Sequence, residues 1–287
     1  MTTTRKKKSG KHATRARTRR KPSGFTARTA DKHVLYQLAV QSPEEDVRFL
    51  ARLYQRMRGR EARHLREDFC GTALLCAAWV RGRNERTAEG FDISRETLAW
   101  GREHNFASLG ERAERIRLHA LDVRAPSAKK PDVRCAQNFS YFVFKRREEM
   151  LEYFRSVRRD LAPGGIFVLD IYGGPEAMEE EEEERKIEAG FTYVWDQRRY
   201  EPATGAYEAH IHFRFRDGSE MKRAFSYDWR LWTLPELKDV LHDAGFPRVD
   251  SYWEGTDKDG ESGNGIFRRS ERGENCPAWV TYLVASR

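Results

Sequence analysis

The sequence predicts an α/β fold: a mostly parallel, doubly wound sheet with a block of antiparallel strands inserted late in the chain. Three observations carry that expectation. Between residues 65 and 172, short apolar runs alternate with segments of helical periodicity, the rhythm of parallel strands joined by crossover helices. From residue 190 to 232, apolar and polar side chains alternate one by one across two turn signals, which is the period of an antiparallel meander with one buried face. After Thr233 the helix-then-strand pattern resumes.

The elements follow in order. Residues 1–22 hold ten Lys/Arg and no Asp/Glu. Removing those ten from the chain's 53 Lys/Arg leaves 43 against 45 Asp/Glu, so the net charge of +8 resides in this stretch. With almost no apolar side chains it cannot build a core, and a disordered basic tail is expected. It suits an arm drawn to RNA, DNA or another polyanion through phosphate contacts. It equally suits a solubilising tail, since no aromatic residues are interleaved for base stacking. Residues 23–287 are then the folded domain. In SPEEDVRFLARLYQRMRG, Ser42 is placed to cap a helix, Pro43 suits its first turn and Glu45 completes a capping box. Val47, Leu50, Tyr54 and Met57 recur at helical spacing before Gly59.

Residues 65–69 read as a strand and 72–81 as a helix. TAEGFDI is strand-like, and SRETLAWGREHNFASLG is a helix started by Ser94 and Thr97. RIRLHALDV contains a strand, as does PDVRCAQNFSYFVF; REEMLEYFRSVRRDL is an amphipathic helix, and the turn APGG leads into the strand IFVLDIY. In the meander, Tyr207, Ala209, Ile211, Phe213 and Phe215 alternate with polar residues, and three strands are expected between 190 and 232. TLPELKDVLHDAGF is a helix capped by Thr233 and stopped at Gly245, and AWVTYLVAS closes the chain. No run approaches the ~20 apolar residues of a membrane span. The N-terminus lacks the apolar centre of a signal peptide. Cys70, Cys76, Cys135 and Cys276 form no CxxC pair. A cytoplasmic protein with reduced thiols, no membrane association and no metal site is expected.

Ligands of such sheets bind at the carboxyl ends of the strands. Gly71 follows the first strand and allows close backbone approach, and Asp92, 21 residues later, ends the second, where an acid can accept both hydroxyls of a ribose. Neither GxGxxG nor GxxxxGK[ST] is present. Two acids, Glu67 and Asp68, precede the loop instead. That charge suits a nucleoside ligand with positive charge and no pyrophosphate, as in the ammonium and sulfonium of S-adenosylmethionine.

On these residues the chain resembles the class I S-adenosylmethionine-dependent methyltransferases, a family with a Rossmann-like sheet. Glu67-Asp68-Phe69-Cys70-Gly71-Thr72-Ala73 is similar to the first motif, an acid followed by an apolar residue and Gly-x-Gly-x-Gly, with Phe69 and Ala73 standing for the outer glycines. Either Glu67 or Asp68 would face the methionine end. Gly90-Phe91-Asp92-Ile93-Ser94 resembles the second motif, Leu121-Asp122-Val123 the third, and Leu161-Ala162-Pro163-Gly164-Gly165 the late turn. The likeness runs from about residue 33 to the end. It implies S-adenosylmethionine as cofactor, held by Glu67, Gly71, Thr72, Asp92 and Asp122. It also implies that the insert is a lid over a small-molecule acceptor, as in enzymes resembling glycine N-methyltransferase.

Other residues carry two readings each. Tyr36, just before the first helix, closes over the methionine part or packs as a buried tyrosine. Asn138-Phe139-Ser140-Tyr141 follows the fourth strand and resembles the Asn-Pro-Pro-Tyr of amino-group methyltransferases without its prolines, so Asn138 and Tyr141 are candidate substrate contacts. His210 and His212 would begin a metal site, but no third ligand is signalled, and solvated strand residues are expected. Trp195, Tyr227, Trp229 and Trp232 line an acceptor pocket or form core. The run Glu179 to Glu184 reads as a solvated helix face. Methyl transfer is an in-line displacement in which positioning does most of the work, and a base is needed only if the acceptor arrives protonated. The expected activity is transfer to a small molecule. The alternatives are an RNA- or ribosome-directed enzyme recruited by the tail, and a binding protein that keeps the fold without turnover.

Overall fold

The computed structural model describes residues 24–256 and 263–287, so the expectation for the tail lies outside the described residues. Two helices come first, α1 (Lys32–Val40) and α2 (Pro43–Arg58). The α/β alternation then runs β1 (His64–Asp68), α3 (Leu74–Gly82), β2 (Thr87–Phe91), α4 (Arg95–Asn105), β3 (Ile116–His119), β4 (Val133–Ala136), α5 (Arg147–Asp160) and β5 (Ile166–Gly173). Four strands follow, β6 (Glu181–Ile187), β7 (Phe191–Glu201), β8 (Ala206–Phe215) and β9 (Glu220–Arg230). The chain ends with α6 (Leu234–Asp243), β10 (Arg248–Thr256), β11 (Gly263–Arg269) and β12 (Trp279–Ser286).

Eight strands form the main sheet in the order β11-β10-β12-β5-β4-β1-β2-β3. The five from β5 to β3 are parallel, and β12, β10 and β11 are antiparallel. The order reverses beside β1, so the crevice at its carboxyl end is where a doubly wound sheet takes its ligand. The remaining strands make a separate antiparallel sheet, β6-β7-β8-β9. Apolar layers fill both faces of the main sheet, and a third joins α1 to the small sheet through Leu35, Ala39, Ile211 and Phe213. No helix among the described residues is long and apolar enough to cross a membrane.

Several expectations need correction. The insert has four strands, because the acidic run is the edge strand β6 and not a helix face: β7 supplies backbone partners along its length, and charged side chains suit an exposed edge. Strands β10 and β11 and helix α1 were not anticipated, and Tyr36 lies inside α1, not ahead of the first helix. Ser42 makes no side-chain capping bond, whereas Ser94 accepts from Thr97 N and Thr233 forms a capping box with Glu236.

Candidate active site

The turn after β1 is built from left-handed residues. Phe69, Gly71 and Ala73 have φ of 55°, 51° and 53°, so two residues with side chains hold a backbone conformation that glycine adopts without steric cost. The curl is fixed from three sides. Asp92 accepts from Gly71 N at 2.9 Å and from Ser94 N at 2.8 Å. Gln37 Nε2, from α1, donates to Thr72 Oγ1 at 2.8 Å, and Asn105 Nδ2 donates to Thr72 O at 2.8 Å. Beside Asp92 and Asp122 two aliphatic side chains stand in solvent, Ile93 at 79% and Leu121 at 50% exposure. Asp122 is gripped by Arg124 through Nε at 2.9 Å and Nη2 at 2.7 Å, which holds its carboxyl below the ordinary range.

Strand alternation separates the two acids of β1. Asp68 is buried in an ion network, accepting from Arg66 Nε at 2.7 Å, Arg134 Nε at 2.6 Å and the Tyr153 hydroxyl at 2.7 Å. Both guanidinium groups also donate to Val123 O and Asp160, so this cluster anchors the segment after Asp122. Glu67 points the other way, into a cavity of about 190 Å³ shared with Asp46, Asp170, Gln41, Gln137 and Asn138. Glu67 accepts from Cys76 N at 3.2 Å.

Burial raises the pKa of all three acids, Asp46 to about 6, Asp170 to about 7 and Glu67 to about 8. Asp170 is held by the backbone amides of Asn138 at 2.7 Å and Phe139 at 3.0 Å, both at φ 57°. Gln137 Nε2 is buried without a partner. Three carboxyl groups whose ionisation burial penalises, and an amide donor left over, make a pocket that gains from a ligand bearing a cation and an acceptor.

A second cavity of about 890 Å³ shares Val40 and Asn138 with the first. Tyr36, Tyr172, Trp195, Tyr227, Trp229 and Trp279 line it, with five glutamates against three arginines. Asn138 therefore stands at the junction of the two spaces. Tyr36 lies in this chamber, its ring 5.0 Å from that of Phe225, and it does not line the acidic cavity. Burial pushes both the Tyr36 and the Tyr227 hydroxyls up.

Tyr141 is not a substrate contact. It is wholly buried and its hydroxyl donates to Asp170 O at 2.6 Å, because the turn that follows Asn138 and Phe139 carries it back into the core. Trp232 is likewise core, donating to Phe144 O at 3.0 Å. His210 and His212 are buried, not solvated: His210 meets Ser226 and Glu208, and His212 meets Asp196 and the Arg223 amide. Among the described residues no group of His, Cys, Asp or Glu is arranged to hold a metal ion. Asp46, Asp170, Gln137, Ile93 and Leu121 were missed. Asp46 reads as an ordinary first-turn acid of α2, while Asp170 carries a signal of its own, an acid inside the apolar run IFVLDIY.

No protein-family profile matches the chain, and no curated protein does. Solved structures match throughout. A S-adenosylmethionine-dependent methyltransferase from Clostridium acetobutylicum superimposes with a TM-score of 0.65 at 15% identity, covering 88% of this chain and 96% of that one. CalS10, an amino pentose methyltransferase from Micromonospora echinaspora, gives 0.62 at 19% identity over 89% and 95%. The sugar N-methyltransferase KedS8 from Streptoalloteichus gives 0.57 at 17% identity over 100% and 98%. The likeness establishes the fold, that of the class I S-adenosylmethionine-dependent methyltransferases.

Proposed function

We propose that this chain, which has the class I methyltransferase fold, transfers a methyl group from S-adenosylmethionine to a small-molecule acceptor held beneath the inserted sheet. The observation that carries the reading is the meeting of two unlike cavities at Val40 and Asn138, one small and acidic, the other large and aromatic. The residues present fit the cofactor. Glu67 and Gln137 would take the amino-acid end, where a buried donor has no protein partner. The Gly71–Thr72 loop and Asp92 would take the ribose, and Ile93 and Leu121 would flank the base with Asp122 at its edge. S-adenosylmethionine supplies a methyl group already activated by its sulfonium.

What the chain contributes is position. The small sheet forms one wall of the chamber through Glu181, Tyr193, Trp195, Ile211 and Trp229, and an acceptor held against it meets the methyl group at a raised effective concentration. Aromatic walls with surplus glutamates suit an acceptor with an apolar or sugar-like face and an amine. The names of the amino pentose and sugar N-methyltransferases are in keeping with that choice. Tyr36 and Tyr227, both raised in pKa, stay protonated at neutral pH and act as hydrogen-bonding groups, not bases.

Calorimetry of the purified chain with S-adenosylmethionine is expected to give saturable heat, weakened at least tenfold by Asp92→Ala. Equal affinity in the variant would remove the cofactor assignment. Incubation with labelled cofactor and a fractionated lysate then tests the acceptor: label in the small-molecule fraction supports the proposal, and label confined to RNA refutes its second half.

A further inference from the structure

Toward the far end of the main sheet lies a pocket that the methyl-transfer reading does not use. Its volume is about 450 Å³, and it lies between the last turn of α2, strands β10 and β11 and the end of β12. Ser286, at its floor, is level with Ile166, the first residue of β5, whereas Asp170 and Gly173 at the other end of that strand serve the acidic cavity and the chamber. Six arginines line it: Arg56, Arg58, Arg248, Arg268, Arg269 and Arg287. Arg268 alone is shared with the chamber.

Few acids oppose this charge. Asp250 takes Arg248 Nε and Arg269 Nε, each at 2.6 Å, and Glu271 reaches Arg269 Nη2 at 3.3 Å. Arg58 and Arg287 spend one donor each on the carbonyls of Gly164 and Leu161. Among the described residues no acidic side chain pairs with Arg56, Arg58, Arg268 or Arg287. Gathering like charges in a partly enclosed space is unfavourable unless an anion joins them.

The pocket also contains polar atoms with nothing to bind. Ser286 Oγ and Arg58 Nη2 are buried and unpartnered, and Ser286 is only 6% exposed. A hydroxyl and a guanidinium left over at the floor of an arginine-lined cavity are the donors that phosphoryl oxygens accept from.

We propose that this pocket binds a small anion carrying two or more phosphoryl groups, of nucleotide size. One phosphoryl group, with a charge of about −2, would leave about half of the four unpaired guanidinium charges unmet, and the volume falls within the range of small-ligand sites. The site is independent of the cofactor assignment, and it stands or falls without it.

Calorimetry of the full chain at constant ionic strength, with inorganic pyrophosphate, ATP, adenosine and RNA oligonucleotides of increasing length as probes, tests the assignment. Pyrophosphate and ATP are expected to bind saturably in a manner weakened by the pocket variants, whereas any heat from adenosine, which belongs to the cofactor site, should be unchanged by them. Arg56→Gln, an exposed position with no acidic partner, should weaken pyrophosphate at least tenfold with the melting temperature unchanged. Arg52→Gln, on the same helix outside the pocket, should leave the affinity as it was, and any contribution of residues 1–22 is common to every variant. Ser286→Ala provides a second, uncharged change and should weaken binding severalfold. The proposal is overturned if pyrophosphate does not saturate, or if both pocket variants bind it as the parent does. It is equally overturned if only RNA oligonucleotides bind, with a strength that grows with their length.

Discussion

At Ala73 a methyl group sits where the related motif carries glycine, and the backbone is left-handed all the same. The conformation costs on the order of 1 kcal/mol for a residue with a Cβ. It persists because Cys70 O accepts from Ala73 N at 2.7 Å and α3 begins at the next residue. Ala73→Gly is therefore expected to change stability by only a few tenths of a kcal/mol, because relief of about 1 kcal/mol of backbone strain is largely offset by the ~0.4–1 kcal/mol entropy of the freer unfolded chain, without loss of S-adenosylmethionine affinity. A larger fall in stability measured by thermal unfolding would show that the methyl group is needed for packing.

Glu67 supports a second prediction at this scale. Its folded pKa of about 8 lies above the ordinary carboxyl value, as do those of Asp170 and Asp46. Groups raised in this way favour the fold while protonated, so their contribution is complete below the unfolded pKa and is lost as pH rises through about 6 to 8. The ligand-free protein should melt at a lower temperature at pH 8.5 than at pH 5.5. Glu67→Gln should flatten the upper part of that profile and weaken S-adenosylmethionine about tenfold, the cost of one charge-assisted hydrogen bond. Parallel profiles for variant and parent would mean that Glu67 stays ionised.

Among the elements, α4 and α1 matter for what they press against the glycine-containing loop. A Cβ on Gly101 would lie 2.2 Å from Thr72 O, so α4 packs directly on the loop backbone, and Gln37 of α1 closes over it from the other side. Gly101→Ala must push the helix and loop apart. A loss of roughly 2 kcal/mol is expected from overpacking, with a larger proportional loss in cofactor affinity than in stability, measurable by calorimetry beside thermal unfolding. If affinity survives while stability falls, the loop does not need α4 to hold its shape.

For the whole molecule, the chamber exists only because distant segments meet. Its walls come from α1, the end of β5, the small sheet, strands β10 and β11 and the residues before β12. The fit is close: a Cβ on Gly173 would stand 2.4 Å from the Trp279 ring. Gly173→Ala should drive that ring into the acceptor space. We expect kcat/KM for the acceptor to drop at least fivefold while the Kd for S-adenosylmethionine is unchanged. A drop in both would place Gly173 in the cofactor cavity instead.

Sequence alone determined the local parts of this protein. The alternation of β1 to β5 with their helices, the caps at Ser94 and Thr233, the turns of the insert and the spacing of Gly71 and Asp92 are all encoded within a few residues, where periodicity and turn chemistry act. Tertiary structure decided the rest, for the reason that burial and electrostatics depend on neighbours far along the chain. It sent Asp68 into an ion network and Glu67 into a cavity. It turned an acidic run into an edge strand by pairing it with β7, and it buried Tyr141 while leaving Asn138 between two cavities. Strands β10 and β11 and the arginines gathered around them belong to the same class, because no local pattern announces charges contributed by α2, β10, β11 and the chain's last residues.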